Sequence, residues 1–335
     1  MNHHPSRRDF LLASASVAGA STLALTPAAG HAQGSKWPSK MIRIVVPFTA
    51  GSITDSTARL LADGLTKTLG QTVIVDNKGG ANGSIGTAEV ARAAPDGYTL
   101  LATNSSSIVI NPLVYKNSPY QSKDLTPITA LLDAAFVLNV HPAWAQKNSI
   151  NTVQDLVAYA KRKPGELSYG STGVGNIAHL AMVMLSNTAH FEANHVPYKS
   201  GAQASMGVLA GELNAVFDTL VSVPQIQAGK LKALAVTTPE RIAQLPDVPT
   251  MTEAGYPSIN STFWLGFLAP PGLPQALVDQ LYAATKTAMT APAVLTALSA
   301  QGSVNLPTPH EFAARISKEN ASYAEVVKRE KIVLE

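Results

Sequence analysis

The sequence predicts an α/β protein of two lobes joined by two crossing strands, and three observations carry that expectation. Strand and helix patterns alternate in two separate stretches of the chain, each with the run lengths of a parallel sheet. Almost every strand pattern ends in a loop rich in Gly, Ser, Thr or Asn. Two further β-prone segments, residues 135–140 and 261–269, lie where the chain passes from the first stretch to the second and back again. The expected organisation is residues 33–135 plus 264–335 for the first lobe and 136–263 for the second.

The first 32 residues read as an export signal. Ser6-Arg7-Arg8-Asp9-Phe10-Leu11 is a twin-arginine pattern, a mild apolar run follows over residues 11–25, and Gly30-His31-Ala32 places small residues where a signal peptidase cuts. Cleavage after Ala32 is expected, leaving a protein free in the periplasm of a Gram-negative bacterium. The apolar run is too short and too weakly apolar for an anchor helix. No cysteine occurs, so there is neither a lipid attachment site nor a disulfide. Loss of Arg7, Arg8 and Asp9 takes the formal charge from +3 to +2.

Composition narrows the function classes. Hydrophobic residues make up 46% of the chain and charged ones 14%, enough apolar mass for large cores and too little charge for disorder. The near-neutral balance and the lack of a dense Lys/Arg stripe exclude a nucleic-acid binder. His3 and His4 leave with the signal, the remaining histidines are scattered, without the close pairs or carboxylate neighbours of a metal centre, and no metal or other cofactor is expected.

Element by element, residues 41–48 form a β-branched strand, 55–69 an amphipathic helix, 72–75 a strand, 85–93 a helix and 98–102 a strand. This βαβαβ order implies a parallel sheet with right-handed crossovers and ligands outside the carboxyl ends of its strands. Loops 49–54, 77–84 and 103–107 fall at those ends and offer Phe48, Ser52 and Ile53, then Asn82, then Thr103 and Ser105 as candidate ligand contacts. Thr54 is expected to cap the helix that follows, which leaves Ser52 to the ligand. Ile53 points either into the cleft, adding apolar surface, or into the core.

After a helix over 153–162 the alternation restarts, with strands at 167, 195–196, 213–217 and 231–236 and helices at 177–185, 203–209 and 224–228. Residues 168–180, Ser-Tyr-Gly-Ser-Thr-Gly-Val-Gly-Asn-Ile-Ala-His-Leu, read as a strand end, a glycine turn and a helix start. Such a junction aims backbone N–H groups and a positive helix end at one spot, which suits an anion. Ser171, Thr172, Gly173 and Asn176 are its candidate contacts, joined by Tyr198 and Asp218 from neighbouring loops and by Phe263 from the returning strand. His179 reads as a core histidine. Asp218 would repel an anion, so its expected work is to bind water, hold a loop amide or recognise an amine. Helices over 275–289 and 309–331 complete the first lobe, and two lobes with hydroxyl-rich loops facing inward make a clamshell for a small molecule.

The order of several motifs resembles one family. Ile44-Val45-Val46-Pro47-Phe48 leads to Thr54-Asp55; Ala93-Ala94-Pro95-Asp96-Gly97-Tyr98-Thr99-Leu100 follows, then Asn111-Pro112 and Tyr169-Gly170-Ser171-Thr172-Gly173. Further on stand His195-Val196-Pro197-Tyr198-Lys199, Phe217-Asp218, Ala228-Gly229-Lys230-Leu231, Leu245-Pro246-Asp247-Val248-Pro249-Thr250 and Phe263-Trp264-Leu265-Gly266. Over the whole mature chain this is similar to the substrate-binding component of tripartite tricarboxylate transporters, the TctC or Bug (Bordetella uptake gene) family. The resemblance implies a type II periplasmic-binding-protein fold and no enzymatic activity. It also implies that the protein takes a small organic carboxylate, held by backbone amides and water without an arginine clamp, to a small and a large membrane subunit; nothing in the sequence indicates an oligomer, and a monomer is expected. The first loop departs from the family's Pro-Pro-Gly-Gly run, and Ile53 stands where a small residue is common, which leaves room for a ligand more hydrophobic than citrate, an aromatic carboxylate included.

Two enzymatic alternatives have sequence support. Gly173, Gly175 and Ala178 satisfy a loose dinucleotide fingerprint, with Glu192 at the ribose position, which would make the chain a Tat-exported oxidoreductase with a nucleotide cofactor. Ser171, His179 and Asp218 supply the residue types of a hydrolase triad, but without a Gly-x-Ser-x-Gly elbow.

Overall fold

The computed structural model describes residues 37–259, 263–329 and 332. The export signal and its cleavage site lie outside the described residues, as do the start of the 261–269 segment and residues 330–331, the end of the helix expected over 309–331. Among the described residues no helix is long and apolar enough to cross a membrane.

The chain opens with β1 (Ile42–Val46), whose IRIVV sequence is β-branched and buried on both faces, as a central parallel strand requires. Helix α1 (Ile53–Leu69) follows, then β2 (Val73–Asn77), α2 (Ser84–Ala91) and β3 (Thr99–Asn104). Both β2 and β3 pair with β1 in parallel. Apolar Ala58, Leu61, Ala62 and Leu65 give α1 its buried stripe. Gly64 sits where α1 crosses a later helix, and a Cβ there would lie 2.5 Å from that of Ala288, so only glycine permits the approach.

Beyond β3 the backbone winds through one π-helical turn, residues 106–110, into the short α3 (Asn111–Val114). Next come β4 (Thr126–Ala134) and β5 (Phe136–Val140), separated by Ala135 alone. The sequence pattern places a single strand at 135–140; the structure has two strands in two different sheets. Pro127 masks the first of them, and the register between β4 and its partner shifts beside it, where a missing N–H is tolerated.

The second lobe runs through α4 (Pro142–Lys147), α5 (Val153–Arg162), β6 (Ser168–Ser171), α6 (Ile177–Ala189), β7 (Asn194–Pro197), α7 (Gly201–Leu209), β8 (Ala215–Thr219), α8 (Val223–Gln227) and β9 (Lys232–Val236). Its sheet has the order β7-β6-β8-β5-β9, with β5 antiparallel to both neighbours. A capping box between Thr152 and Asp155 starts α5.

The chain returns as β10 (Phe263–Ala269) and ends with α9 (Gln275–Met289), α10 (Pro292–Leu298), β11 (Ser303–Val304) and α11 (Pro309–Arg329). β10 enters the first sheet between β3 and β4, antiparallel to both, giving the order β11-β4-β10-β3-β1-β2. Arg315 of α11 ties the C-terminal helix to this sheet, 2.8 Å from Asp133 and 2.8 Å from Glu319, which accepts the Trp264 indole N–H at 2.6 Å. From Pro38 on, the described residues form one compact unit holding both sheets.

Candidate ligand cleft between the lobes

A cavity of about 760 Å³ opens between the carboxyl ends of the two sheets. Its first-lobe wall is the β1–α1 loop, the β2–α2 loop and Asn104 at the end of β3; its second-lobe wall is Ser171, Thr172 and Asn176, the start of α7, and the end of β8. Phe136 and Phe263 stand where the chain crosses between lobes and meet edge to face, centroids 5.5 Å apart.

The β1–α1 loop is organised by Asp55, buried in the first turn of α1. Its carboxylate accepts from Gly51 N–H (2.9 Å) and Asn77 Nδ2 (2.9 Å) and pairs with Arg59 at 2.9 Å. Burial alone raises such a carboxyl, yet the hydrogen bonds from Arg59, Gly51 and Asn77 together hold it below the ordinary carboxylate range. Ser52, not Thr54, is the N-cap: its Oγ accepts from Asp55 N–H at 3.2 Å. The expectation is corrected on this point, because Ser52 has the extended backbone of a cap while Thr54 already lies in the helix and is buried. Ile53 borders the cavity. The N–H groups of Ile53 and Thr54 have no hydrogen-bond partner among the described residues.

In the β2–α2 loop Ala81, Asn82 and Gly83 all have positive φ. The Asn82 side chain donates to Asn111 Oδ1 at 2.9 Å, and its carbonyl accepts from Asn111 and Ser107. At the end of β3 the pleat turns Asn104 toward the cavity and buries Thr103 and Ser105 completely. Thr103 and Ser105 therefore do not line the cleft; Ser105 Oγ instead accepts from Trp264 N–H at 3.4 Å.

The glycine turn differs most from expectation. Gly173 N–H donates to Ser171 Oγ, Gly175 N–H to His179 Nδ1, Asn176 N–H to Gly173 O, and Ala178 N–H to Asn176 Oδ1. Ser106, from the first lobe, accepts from both Ile177 N–H (3.2 Å) and Asn176 Nδ2 (3.3 Å). The start of α6 is thus closed by its own turn and by the other lobe. Asn176 borders the cavity with its side chain engaged at both ends, and Gly173 does not line it.

The second-lobe helix whose N-terminus faces the cavity is α7. Ser200 caps it through Gln203 N–H, and Gln203 Oε1 accepts from Lys199 N–H, the Ser-x-x-Gln signature that could have revealed it. Gly201 and Ala202 line the cavity with N–H groups that have no partner among the described residues. Tyr198 lies beside them, its hydroxyl folded back over Gly207.

Behind Ser171 the rings of Tyr169, His195 and His179 stack, with the two imidazole centroids 4.3 Å apart. Burial pushes both histidines down to about 4, keeping them neutral. Ser171 Oγ and His195 Nε2 are 2.7 Å apart. Asp218 borders the cavity yet is buried; Ser205 Oγ and Thr219 N–H donate to it, and no cation pairs with it among the described residues. Burial pushes its carboxyl up to about 6.

These contacts do not assemble Ser171, His179 and Asp218: the serine meets His195 and the acid meets Ser205. Nor do they leave a pyrophosphate cradle at Gly173 and Gly175, whose N–H groups are already used. No group of three metal-ligating side chains occurs among the described residues. Ten of the thirteen sequence candidates, Phe48, Ser52, Ile53, Asn82, Ser171, Thr172, Asn176, Tyr198, Asp218 and Phe263, surround the cavity.

Residues 57–331 match the family described as tripartite tricarboxylate transporter family receptor, TctC. A UPF0065 protein of Bordetella pertussis is 38% identical over 84% of this chain and 86% of its own length, and the protein BugT of the same organism is 33% identical over 87% and 90%. Among solved structures, the periplasmic binding protein BugD is 33% identical with a TM-score of 0.80, over 89% of this chain and 99% of its own. A Rhodopseudomonas palustris protein with adipate is 30% identical (TM-score 0.81, 89% and 99% covered), and MatC of that organism, with bound malate, is 29% identical (TM-score 0.79, 87% and 99% covered). With the fold of the periplasmic binding proteins, and with matches of this extent, the chain belongs to the TctC receptor family, whose members are solute-binding proteins and not enzymes.

Proposed function

We propose that the protein captures a small organic carboxylate in the periplasm and presents it to the small and large membrane subunits of a tripartite transporter. The observation that supports this most is the N-terminus of α1, whose Ile53 and Thr54 N–H groups are unpaired among the described residues and face a cavity that the start of α7 borders from the other lobe. A carboxylate leaving water needs charge-assisted hydrogen bonds in place of its hydration, and helix ends supply donors and positive potential together. Exposed Lys199 is the single cation among the described residues lining the cavity, so main-chain dipoles carry the recognition. Phe48, Ile53, Phe136 and Phe263 add hydrocarbon surface, which suits a ligand with an alkyl or aromatic body, and the relatives solved with adipate and malate have dicarboxylates bound.

Closure of the lobes over the ligand is the form the membrane partner recognises, and a ligand favours it only by the margin with which it binds closed better than open. Arg7 and Arg8 direct export by the twin-arginine route, and the mature protein works as a monomer. A calorimetric screen of mono-, di- and tricarboxylates, aliphatic and aromatic, tests the reading. Binding of at least one at micromolar concentration is expected, and silence across the panel would overturn it.

A further inference from the structure

The two ends of the cleft differ in charge, and the difference lies in two buried acids. At the α1 end Asp55 is neutralised by Arg59 at 2.9 Å, so the helix terminus keeps its positive character for a ligand. At the α7 end Asp218 has no such partner among the described residues: its carboxylate receives only the neutral donors Ser205 Oγ and Thr219 N–H. Ser205 is on α7, and a Cβ built on Gly201 would stand 3.3 Å from Asp218 Oδ1, so the acid lies against the first turn of that helix. A resident carboxylate already answers the positive end of α7. A second ligand carboxylate seated there would face it.

Charged or titratable groups on the surrounding elements do not change this. Lys199 borders the cavity but forms no ion pair with Asp218, being exposed on the loop before α7. Tyr198 turns its hydroxyl toward Gly207. Tyr169 of β6, His195 of β7 and His179 of α6 stack on one another, and β5 places Val137 opposite Asp218. Burying a carboxylate with two neutral hydrogen bonds leaves acceptor capacity unfilled, which a donor on the ligand would satisfy.

We propose that Asp218 reads a hydrogen-bond donor at the far end of the ligand, so that the cleft prefers a carboxylate carrying an ammonium or hydroxyl group there over the length-matched dicarboxylate. The ligand's carboxylate docks on the free N–H groups of Ile53 and Thr54, its hydrocarbon body passes Ile53 and Phe263, and its donor reaches Asp218. This rests on the carboxylate-capture reading and narrows it to a class of substrate.

The test is calorimetry on the mature protein at pH 7.5 with three series of four to eight carbons: α,ω-dicarboxylates, ω-amino acids and ω-hydroxy acids. At the best-fitting length the amino or hydroxy acid is expected to bind at least tenfold more tightly than the matched dicarboxylate, and Asp218→Asn to reduce that preference tenfold or more. Dicarboxylates that bind as well as or better than their matched partners in the wild type would overturn the inference while leaving carboxylate capture standing. An unchanged ratio in a folded Asp218→Asn variant would do the same. If that variant does not fold, the wild-type ranking decides alone. No binding by any member of the three series, or by the broader panel, would remove both readings together.

Discussion

Ser106→Ala tests how the two lobes are joined. Ser106 Oγ is the acceptor for two donors of the other lobe, Ile177 N–H at 3.2 Å and Asn176 Nδ2 at 3.3 Å, and all three residues are buried. Alanine leaves both donors without a partner: Ile177 N–H is fully buried, while Asn176, nearly buried at the edge of the cavity, can turn its amide toward water. A buried donor left unpaired costs about 1–3 kcal/mol, and some relaxation of the Asn176 amide is expected, so the loss is about 2–4 kcal/mol. With an unfolding entropy of about 2.1 cal/mol/K per residue, a chain of this size loses about 1.6 °C per kcal/mol, which places the fall in Tm at about 3–6 °C. Scanning calorimetry measures it. Asn176→Ala and the double variant complete a cycle in which the two substitutions are expected to be less than additive by about 0.5 kcal/mol or more, because each removes the same contact. A Tm within about one degree of wild type, or strict additivity, would refute the bridging role of Ser106.

Three further outcomes are expected. Gly83→Ala, with φ +90 and a Cβ that would run into Ser107 Oγ and stand 3.0 Å from Phe48 Cζ, should lower stability by about 1–3 kcal/mol in urea titration and shift Phe48 out of the cleft wall. Ile53→Ser should weaken a carboxylate with a long alkyl or aryl body by about fivefold, roughly the burial of one to two methylene groups, while leaving the shortest ligand nearly unchanged in calorimetry. Stability should fall on acidification from about pH 6.5 toward 4, because His179 and His195 are held neutral in the folded state and the unfolded chain takes up the protons first. Asp218, raised to about 6, acts in the opposite sense: the folded state binds its proton first, so it adds stability as pH falls from 6 toward 4, and Asp218→Asn should make the acid slope of Tm steeper.

Much of this architecture could be read from local pattern. The β-branched run of β1, the capping box at Thr152 and the alternation of strand and helix are short-range signals, and the loops at strand ends follow from them. The errors share a different physical origin. Part of the closure of α6 is local, through Ser171, Asn176 and His179, but the Ile177 N–H is taken by Ser106, some seventy residues away, and no property of residues 168–180 encodes that contact. Whether Thr103 and Ser105 or Asn104 meets the cleft depends on the parity of one strand, which a single residue inverts. Ser52 and Thr54 have equal chemistry as caps, and the choice is made where the backbone becomes helical. The role of α7 was legible in Ser200 and Gln203, though its aim at the cavity was not.

The position of β10 has a consequence for synthesis. On the ribosome β3 and β4 emerge early, but the strand that separates and joins them arrives only after the entire second lobe, so until residue 269 is made both present unsatisfied edges to the surrounding medium. The sheet centred on β8 needs only residues 136–236, an uninterrupted segment, and so reaches completion first. The part of the molecule translated second is therefore the part that can finish folding first, and its partner must wait, open, for the nascent chain to come back.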